Sequence, residues 1–195
     1  MRAAFYYDLF SPEAYLAAER VITLLPAAEW IPVLAPRLPG ADLLDGFRCQ
    51  TDRVAFCDRI ERLAARRGLQ EVRWPDPFPG DSAYAMRVAT YARQIGRAVA
   101  FSLAAFRQAF AGGRDLGEPD NVLIAAAACE MHPRAVAKGA QLASVVQALH
   151  DATALATQRG VRDVPAVWLP DGGGHPGRVF HGDDELDDAV RALIA

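Results

Sequence analysis

From Ala3 to Phe10 the chain is apolar apart from Asp8, and the run ends abruptly at Ser11-Pro12. Helix-compatible sequence follows, from Glu13 to Leu25. This order predicts a buried strand that feeds directly into a helix N-terminus. Ser11 suits the N-cap, where a hydroxyl oxygen accepts one of the N–H groups that a first turn leaves unpaired. Pro12 suits the first helical position, which needs no N–H, and Glu13 adds a favourable charge in the first turn. Such a helix start presents free donors and a partial positive charge, so it favours an anion placed against it. The junction therefore constrains the fold and marks a candidate site at once.

Glu29 to Pro36 predicts a second strand, with Pro32 demoting it to an edge position or a bulge. Pro36, Pro39 and Gly40 then break the chain. Residues 51–67 predict a helix, because Val54, Cys57, Ile60, Leu63 and Ala64 recur at three- and four-residue spacing. The charge run from Arg53 to Arg67 on its other side is expected to be a solvated face rather than an anion site. Pro75, Pro77 and Pro79 exclude regular structure between Trp74 and Ser82, and Asp81 or Ser82 is expected to cap a helix toward Ile95. Further helices are expected from Arg97 to Phe110, from Pro119 to Met131, and from Pro133 to Gln158 with a break near Gly139. Met86, Phe101, Phe106 and Phe110 are core candidates rather than pocket residues.

The C-terminal end changes character. Val164–Leu169 and Arg178–His181 predict a hairpin around a Gly-rich loop, and Gly182-Asp183-Asp184 opens a last helix reaching Ile194. Strand–helix–strand, a long helical stretch, then helix–hairpin–helix is the element order of an α/β thioredoxin fold with an inserted all-helical subdomain. Residues 1–42 and 150–195 are expected to form the thioredoxin-like domain, and 43–149 the insertion.

Composition closes off several function classes. The net charge of −3, with signs mixed along the chain, argues against a nucleic-acid surface. Arg, Asp or Glu interrupts every apolar run before it reaches the length of a membrane span. Asp8 and Glu13 stand where an export signal would need unbroken apolar sequence, so a cytoplasmic location is expected. Cys49, Cys57 and Cys129 form no C-x-x-C pair and are odd in number, which suits isolated thiols in a reducing compartment. His132, His150, His175 and His181 have no metal-ligand spacing, and no bound metal is expected. Gly172-Gly173-Gly174 lies in a hairpin rather than before a helix, so it is no phosphate loop. Ser11, His181 and Asp184 are triad residue types, but nothing in their spacing brings them together, and a hydrolase is not expected.

Three segments resemble one known family. The first is the strand followed by Ser-Pro-x-x-Tyr, where Asp8, Phe10, Ser11, Pro12 and Tyr15 match the opening of the DsbA-like thioredoxin-fold superfamily. The branch it resembles most holds 2-hydroxychromene-2-carboxylate isomerase and kappa-class glutathione transferase. The second is Gly160-Val161-Arg162-Asp163-Val164-Pro165, similar to the family's Gly-Val-x-x-Val-Pro stretch. The third, Val179-Phe180-His181-Gly182-Asp183-Asp184, is similar to its Phe-Trp-Gly-x-Asp start of the last helix.

The resemblance implies a cis Val164-Pro165 bond beside Ser11, with the Val164 backbone offered to an extended peptide. It implies glutathione as the thiol cofactor, held by Ser11, Pro12, Val164, Pro165, Gly182, Asp183 and Asp184. Asp183 or Asp184 would meet the ammonium of the γ-glutamyl end, and helix-start N–H groups its carboxylate. It further implies a small aromatic substrate between the core and the insertion, and a homodimer. Redox-active relatives carry cysteines where this chain has Ser11 and Ala14. A hydroxyl cannot exchange with a disulfide, so Ser11 is left to donate to a bound thiolate as the catalytic residue. Glu13 departs from the family and would oppose an anion unless it points outward or meets an arginine. The family's Asn-Pro-Pro-like stretch is replaced by Asp45-Gly46-Phe47-Arg48-Cys49-Gln50. That departure supports a second reading, a non-catalytic or differently liganded thioredoxin-fold protein.

Overall fold

The computed structural model describes residues 2–40, 49–171 and 177–194. Strands β1 (Ala4–Tyr7), β2 (Glu29–Pro32), β3 (Ala166–Leu169) and β4 (Arg178–His181) form one mixed sheet in the order β2-β1-β3-β4. β1 pairs parallel with β2 and antiparallel with β3, which pairs antiparallel with β4. Helix α1 (Pro12–Leu24) makes the parallel crossover between β1 and β2. β2 is an edge strand, which suits Pro32 because an edge tolerates a missing donor.

The expected extension of β2 to Pro36 does not occur. The Ala35 N–H turns to the Asp8 carboxylate (3.0 Å) and Pro36 has no N–H, so Ala35–Arg37 tightens into a short 3-10 turn.

The insertion contributes α2 (Gln50–Arg66), α3 (Ala83–Gln94), α4 (Ala98–Phe110), α5 (Pro119–Ala127) and α6 (Pro133–Gly139). α7 (Ala143–Gln158) leads back to the sheet, and α8 (Leu186–Ile194) follows β4. α5 stops short of Met131 because Glu130 is left-handed (φ 61°) and the Met131 N–H closes back on the Ala126 carbonyl. The anticipated break at Gly139 is real. A Cβ there would lie 2.5 Å from the Tyr91 ring, so only glycine lets α6 press flat against α3. The last helix begins later than expected, since 182–185 is a turn whose Gly182 N–H donates to the Pro165 carbonyl (2.8 Å).

The core explains why these pieces stay together. Phe5, Tyr7 and Val167 face α1 and the insertion, and one apolar cluster runs unbroken from them to Phe101, Val122 and Val136. Met86, Phe101, Phe106 and Phe110 are all fully buried, as the sequence predicts. Each such side chain contributes about 1.5–3 kcal/mol of burial. The buried Tyr7 hydroxyl meets Ser102 Oγ at 2.6 Å, so the strand is tied to α4 by a polar bond inside an apolar layer. Ala4, Tyr6, Ala166 and Trp168 pack on the opposite face with Ala156 and Val161. The expected boundary between residues 42 and 43 lies outside the described residues, as do Asp45–Arg48 of the departing stretch and the Gly172-Gly173-Gly174 and His175 part of the hairpin loop. Among the described residues no helix is long and apolar enough to cross a membrane.

Candidate functional site

The strand-to-helix junction is built around a buried carboxylate. Asp8 is fully buried, and its two oxygens accept from the Phe10 N–H (3.0 Å), the Ala35 N–H (3.0 Å) and the Ser82 hydroxyl (3.2 Å). Burial pushes its pKa up, and the three donors oppose that shift. Asp8 thereby joins the start of α1, the turn after β2 and the start of α3. These same segments enclose a cavity of about 250 Å³ lined by Phe10, Leu34, Arg37, Gly80 and Ser82. Gly80 is required there, because a Cβ would fall 2.4 Å from Phe10 Cζ. Sequence reasoning used Asp8 as a point of resemblance and as a break in the apolar N-terminus, not as a site residue. A lone carboxylate inside an apolar strand is itself the signal, since such a charge must collect donors.

Ser11 is the N-cap, with extended backbone (φ −85°, ψ 113°), and is 6% exposed. Its Oγ accepts from the Ala14 N–H (3.1 Å) and donates to the Val164 carbonyl (3.5 Å). Pro12 occupies the first helical position. The Val164-Pro165 bond is cis, as the resemblance implies, and it abuts Ser11. Gly182, with φ +74°, donates to the Pro165 carbonyl, which draws the third segment to the same corner. Ser11, Pro12, Val164, Pro165 and Gly182 are thus brought together.

The two aspartates are placed differently. Asp184 is exposed. Asp183 is 5% exposed, and its carboxylate is paired with Arg67 from the end of α2 and with Arg20 of α1 (3.4 Å). Arg20 also reaches Asp187 at 2.6 Å. Arg20 stands nine residues beyond Ser11, about 13 Å along the helix. The Asp183 carboxylate is therefore directed at the flank of α1, not at its N-terminus. Two members of the α2 charge run, expected to be a solvated face, instead pair with acids of the thioredoxin part: Arg67 with buried Asp183, and the more exposed Arg59 with Glu13. The cause is that α2 packs along α1, which places its arginines against the acids of the thioredoxin part. The Glu13–Arg59 pair also neutralises the carboxylate that stood against an anion at the helix start.

Asp163 belongs to the same corner, and sequence reasoning missed it. Its Oδ1 accepts the Val164 N–H at 2.7 Å, which is the donor an extended ligand would use. Nothing in a Gly-Val-x-x-Val-Pro pattern specifies the residue before Val164. His181 accepts the Arg162 N–H on Nε2 (3.0 Å), so it faces the corner loop and not the Ser11 hydroxyl. Among the described residues no cluster of His, Cys, Asp or Glu is placed to hold a metal.

The fold has known counterparts. A structure of 2-hydroxychromene-2-carboxylate isomerase superposes with a TM-score of 0.79 at 19% identity, over 99% of this chain and 94% of that one. A probable DsbA oxidoreductase from Streptomyces coelicolor gives 0.79 at 22% identity, over 99% and 88%. The cytosolic disulfide reductase DsbM from Pseudomonas aeruginosa, in a structure with GSH, gives 0.66 at 15% identity, over 100% and 97%. No curated protein matches the sequence significantly. At these identities the structural likeness speaks for the fold alone. The family model of the DSBA-like thioredoxin domain matches residues 3–193, nearly the whole length, and the chain belongs to that family.

Proposed function

We propose that this protein is a glutathione-dependent isomerase or transferase for a small aromatic substrate, without disulfide-exchange chemistry at the Ser11 position. The observation that carries the reading is the Ser11 hydroxyl at a capped helix start, 3.5 Å from the carbonyl that precedes a cis proline, with Ala14 where a second thiol would have to be. A thiolate placed against α1 would meet the helix-start N–H groups and the Ser11 O–H, which turns from Val164 to donate to it. The Val164 N–H and C=O would hold the ligand backbone once Asp163 swings aside. The substrate would take the cavity beside Phe10, the residue preceding Ser11, where the turn after β2 meets the start of α3. The 2-hydroxychromene-2-carboxylate isomerase likeness and the DsbM structure with GSH lend this reading support by analogy. The three free cysteines suit a reducing, cytoplasmic setting, and a homodimer is the assembly proposed.

One observation favours a second reading, a binding protein that has lost catalysis or takes another ligand. The ligand groups of the corner are already engaged within the chain: Val164 N–H by Asp163, Val164 C=O by Ser11, and Asp183 by two arginines.

Calorimetry with reduced glutathione, cysteamine and N-acetylcysteine separates the two. The enzyme reading expects glutathione to bind, with binding weakened roughly ten- to hundredfold by Ser11→Gly, the scale of a lost charge-assisted hydrogen bond. Binding unchanged in Ser11→Gly, or absent in the wild type, overturns it. Insulin reduction by the protein that persists when Cys49, Cys57 and Cys129 are replaced would refute the absence of thiol exchange.

A further inference from the structure

The loop that carries the cis proline is held in an unusual way. After α7 the chain runs from Val161 to Pro165 with no ladder bonds of its own. The Arg162 carbonyl accepts the Gly40 N–H at 2.7 Å, and the Pro165 carbonyl accepts the Gly182 N–H at 2.8 Å. The Arg162 N–H goes to His181 Nε2 at 3.0 Å. A ring nitrogen accepts only when it carries no proton, so this bond requires a neutral imidazole with its hydrogen on Nδ1. Protonation would set two donors face to face and break the tie two residues before Val164.

The backbone of His181 is itself fixed. Its N–H donates to Glu185 Oε2 at 2.7 Å, and its ladder partner is Ala166 at the start of β3. The imidazole can then follow the loop only by side-chain rotation, not by movement of its backbone. The charged groups around it are the Glu185 carboxylate, which favours protonation, and the Arg162 guanidinium, which opposes it, with Asp163 next along the loop. Ala166 across the ladder and Val179 along the strand carry no charge. Burial outweighs Glu185, and the His181 pKa lies below its ordinary value.

We propose that His181 is a positioning residue for the Val164-Pro165 corner, holding the loop in its ligand-ready shape only while its imidazole is neutral. The inference rests on the reading of that corner as the ligand site. Acidification then loosens residues 162–164 before it unfolds the protein, and ligand affinity falls with it. The sign follows from a depressed pKa: the neutral ring stabilises the folded loop at neutral pH, and that contribution is lost as pH falls below the ordinary histidine range.

Amide exchange followed by NMR tests the loop directly. The protection factor of the Arg162 amide should fall about tenfold between roughly pH 7.5 and roughly pH 5. His181→Gln supplies an amide oxygen that accepts without titrating, so its Arg162 protection should be flat over that range and equal to the wild-type value at neutral pH. A flat wild-type profile overturns the proposal, and so does a fall in His181→Gln equal to that of the wild type. S-methylglutathione, which has no thiol to titrate, tests the coupling to the site. It should bind about fivefold or more weakly at the acid end in the wild type and equally at both ends in His181→Gln. Wild-type affinity that does not change with pH overturns the coupling. Absence of binding by both S-methylglutathione and reduced glutathione at every pH instead counts against the glutathione reading, and the amide profile still decides the role of His181.

Discussion

The corner at Ser11 and the clamp at Asp183 both close on α1 and are held by different means. The corner is closed by hydrogen bonds in which at least one partner is backbone: Ser11 Oγ to the Val164 carbonyl, Gly182 N–H to the Pro165 carbonyl, Ala14 N–H to Ser11 Oγ. The clamp is closed mainly by side-chain charges, with Arg20 and Arg67 gathered on one buried carboxylate and a single backbone bond, from Arg20 to the Asp183 carbonyl (3.1 Å), beside them. Backbone geometry belongs to the fold and recurs wherever the fold recurs. A charge clamp depends on where the inserted α2 happens to lie. The difference teaches that the family's fold fixes the corner, whereas this chain's own insertion decides how the flank of α1 is used.

The largest test of that contrast is Asp8, which underlies the corner but is itself a charge. Asp8→Ala should cost about 3–5 kcal/mol in urea unfolding, because three buried donors lose their acceptor at about 1–3 kcal/mol each, offset in part by relief of the buried charge. A loss under about 1 kcal/mol would show that the donors find other partners. Asp8→Asn adds a pH signature. Burial raises the Asp8 pKa in the folded chain, so the folded state holds this proton more tightly than the unfolded state. The resulting stability is full below the ordinary value of 3.8 and is lost as pH rises through the raised one. Asp8→Asn should remove that decline and give a flatter profile upward from the same point.

Next in size is the clamp. Asp183→Ala should cost about 1–3 kcal/mol, between the values for exposed and fully buried ion pairs, since Arg20 and Arg67 are each about one-fifth exposed. Part of that loss should vanish at roughly 1 M salt, where the Debye length is only about 3 Å. Ser11→Ala should cost about 0.5–2 kcal/mol and Ser11→Gly a few tenths, neither changing with salt. Equal salt dependence at both places would erase the distinction between corner and clamp. The smallest stability effect is expected for Arg59→Ala, about 0–1 kcal/mol, because the arginine is 43% exposed. That variant should nevertheless weaken glutathione binding measured by calorimetry, because it leaves the Glu13 carboxylate unpaired near the proposed thiolate.

The same contrast accounts for what the sequence made legible. The Ser11 cap, the proline at the first helical position and the core at Met86, Phe101, Phe106 and Phe110 follow from local rules and periodicity. The neighbourhood of Ser11, Val164 and Gly182 was accessible through the order of the three segments. Arg59 and Arg67 were not, because a charge run on an amphipathic helix has the same pattern whether it faces water or a facing acid. Asp163 was hidden for a different reason: its contact is with the next residue's N–H, and an isolated aspartate before valine carries no periodic signal. The early end of β2 and the late start of α8 both arise where a backbone N–H is claimed from outside its own element, by Asp8 and by the Pro165 carbonyl.

The strand order has a consequence for how the chain is made. β1 is an interior strand, yet its second neighbour, β3, is encoded beyond the whole insertion. Ser11 and Val164 are 153 positions apart, so at a synthesis rate of about 5–20 residues per second the first emerges about 8–30 s before the second. Throughout that interval Ala4-Phe5-Tyr6 offers one open row of strand donors and acceptors carrying aromatic rings. An open apolar edge pairs with whatever strand is at hand. A nascent or truncated chain lacking Ala166–Leu169 is therefore the form of this protein most exposed to aggregation, and the form with most need of a chaperone.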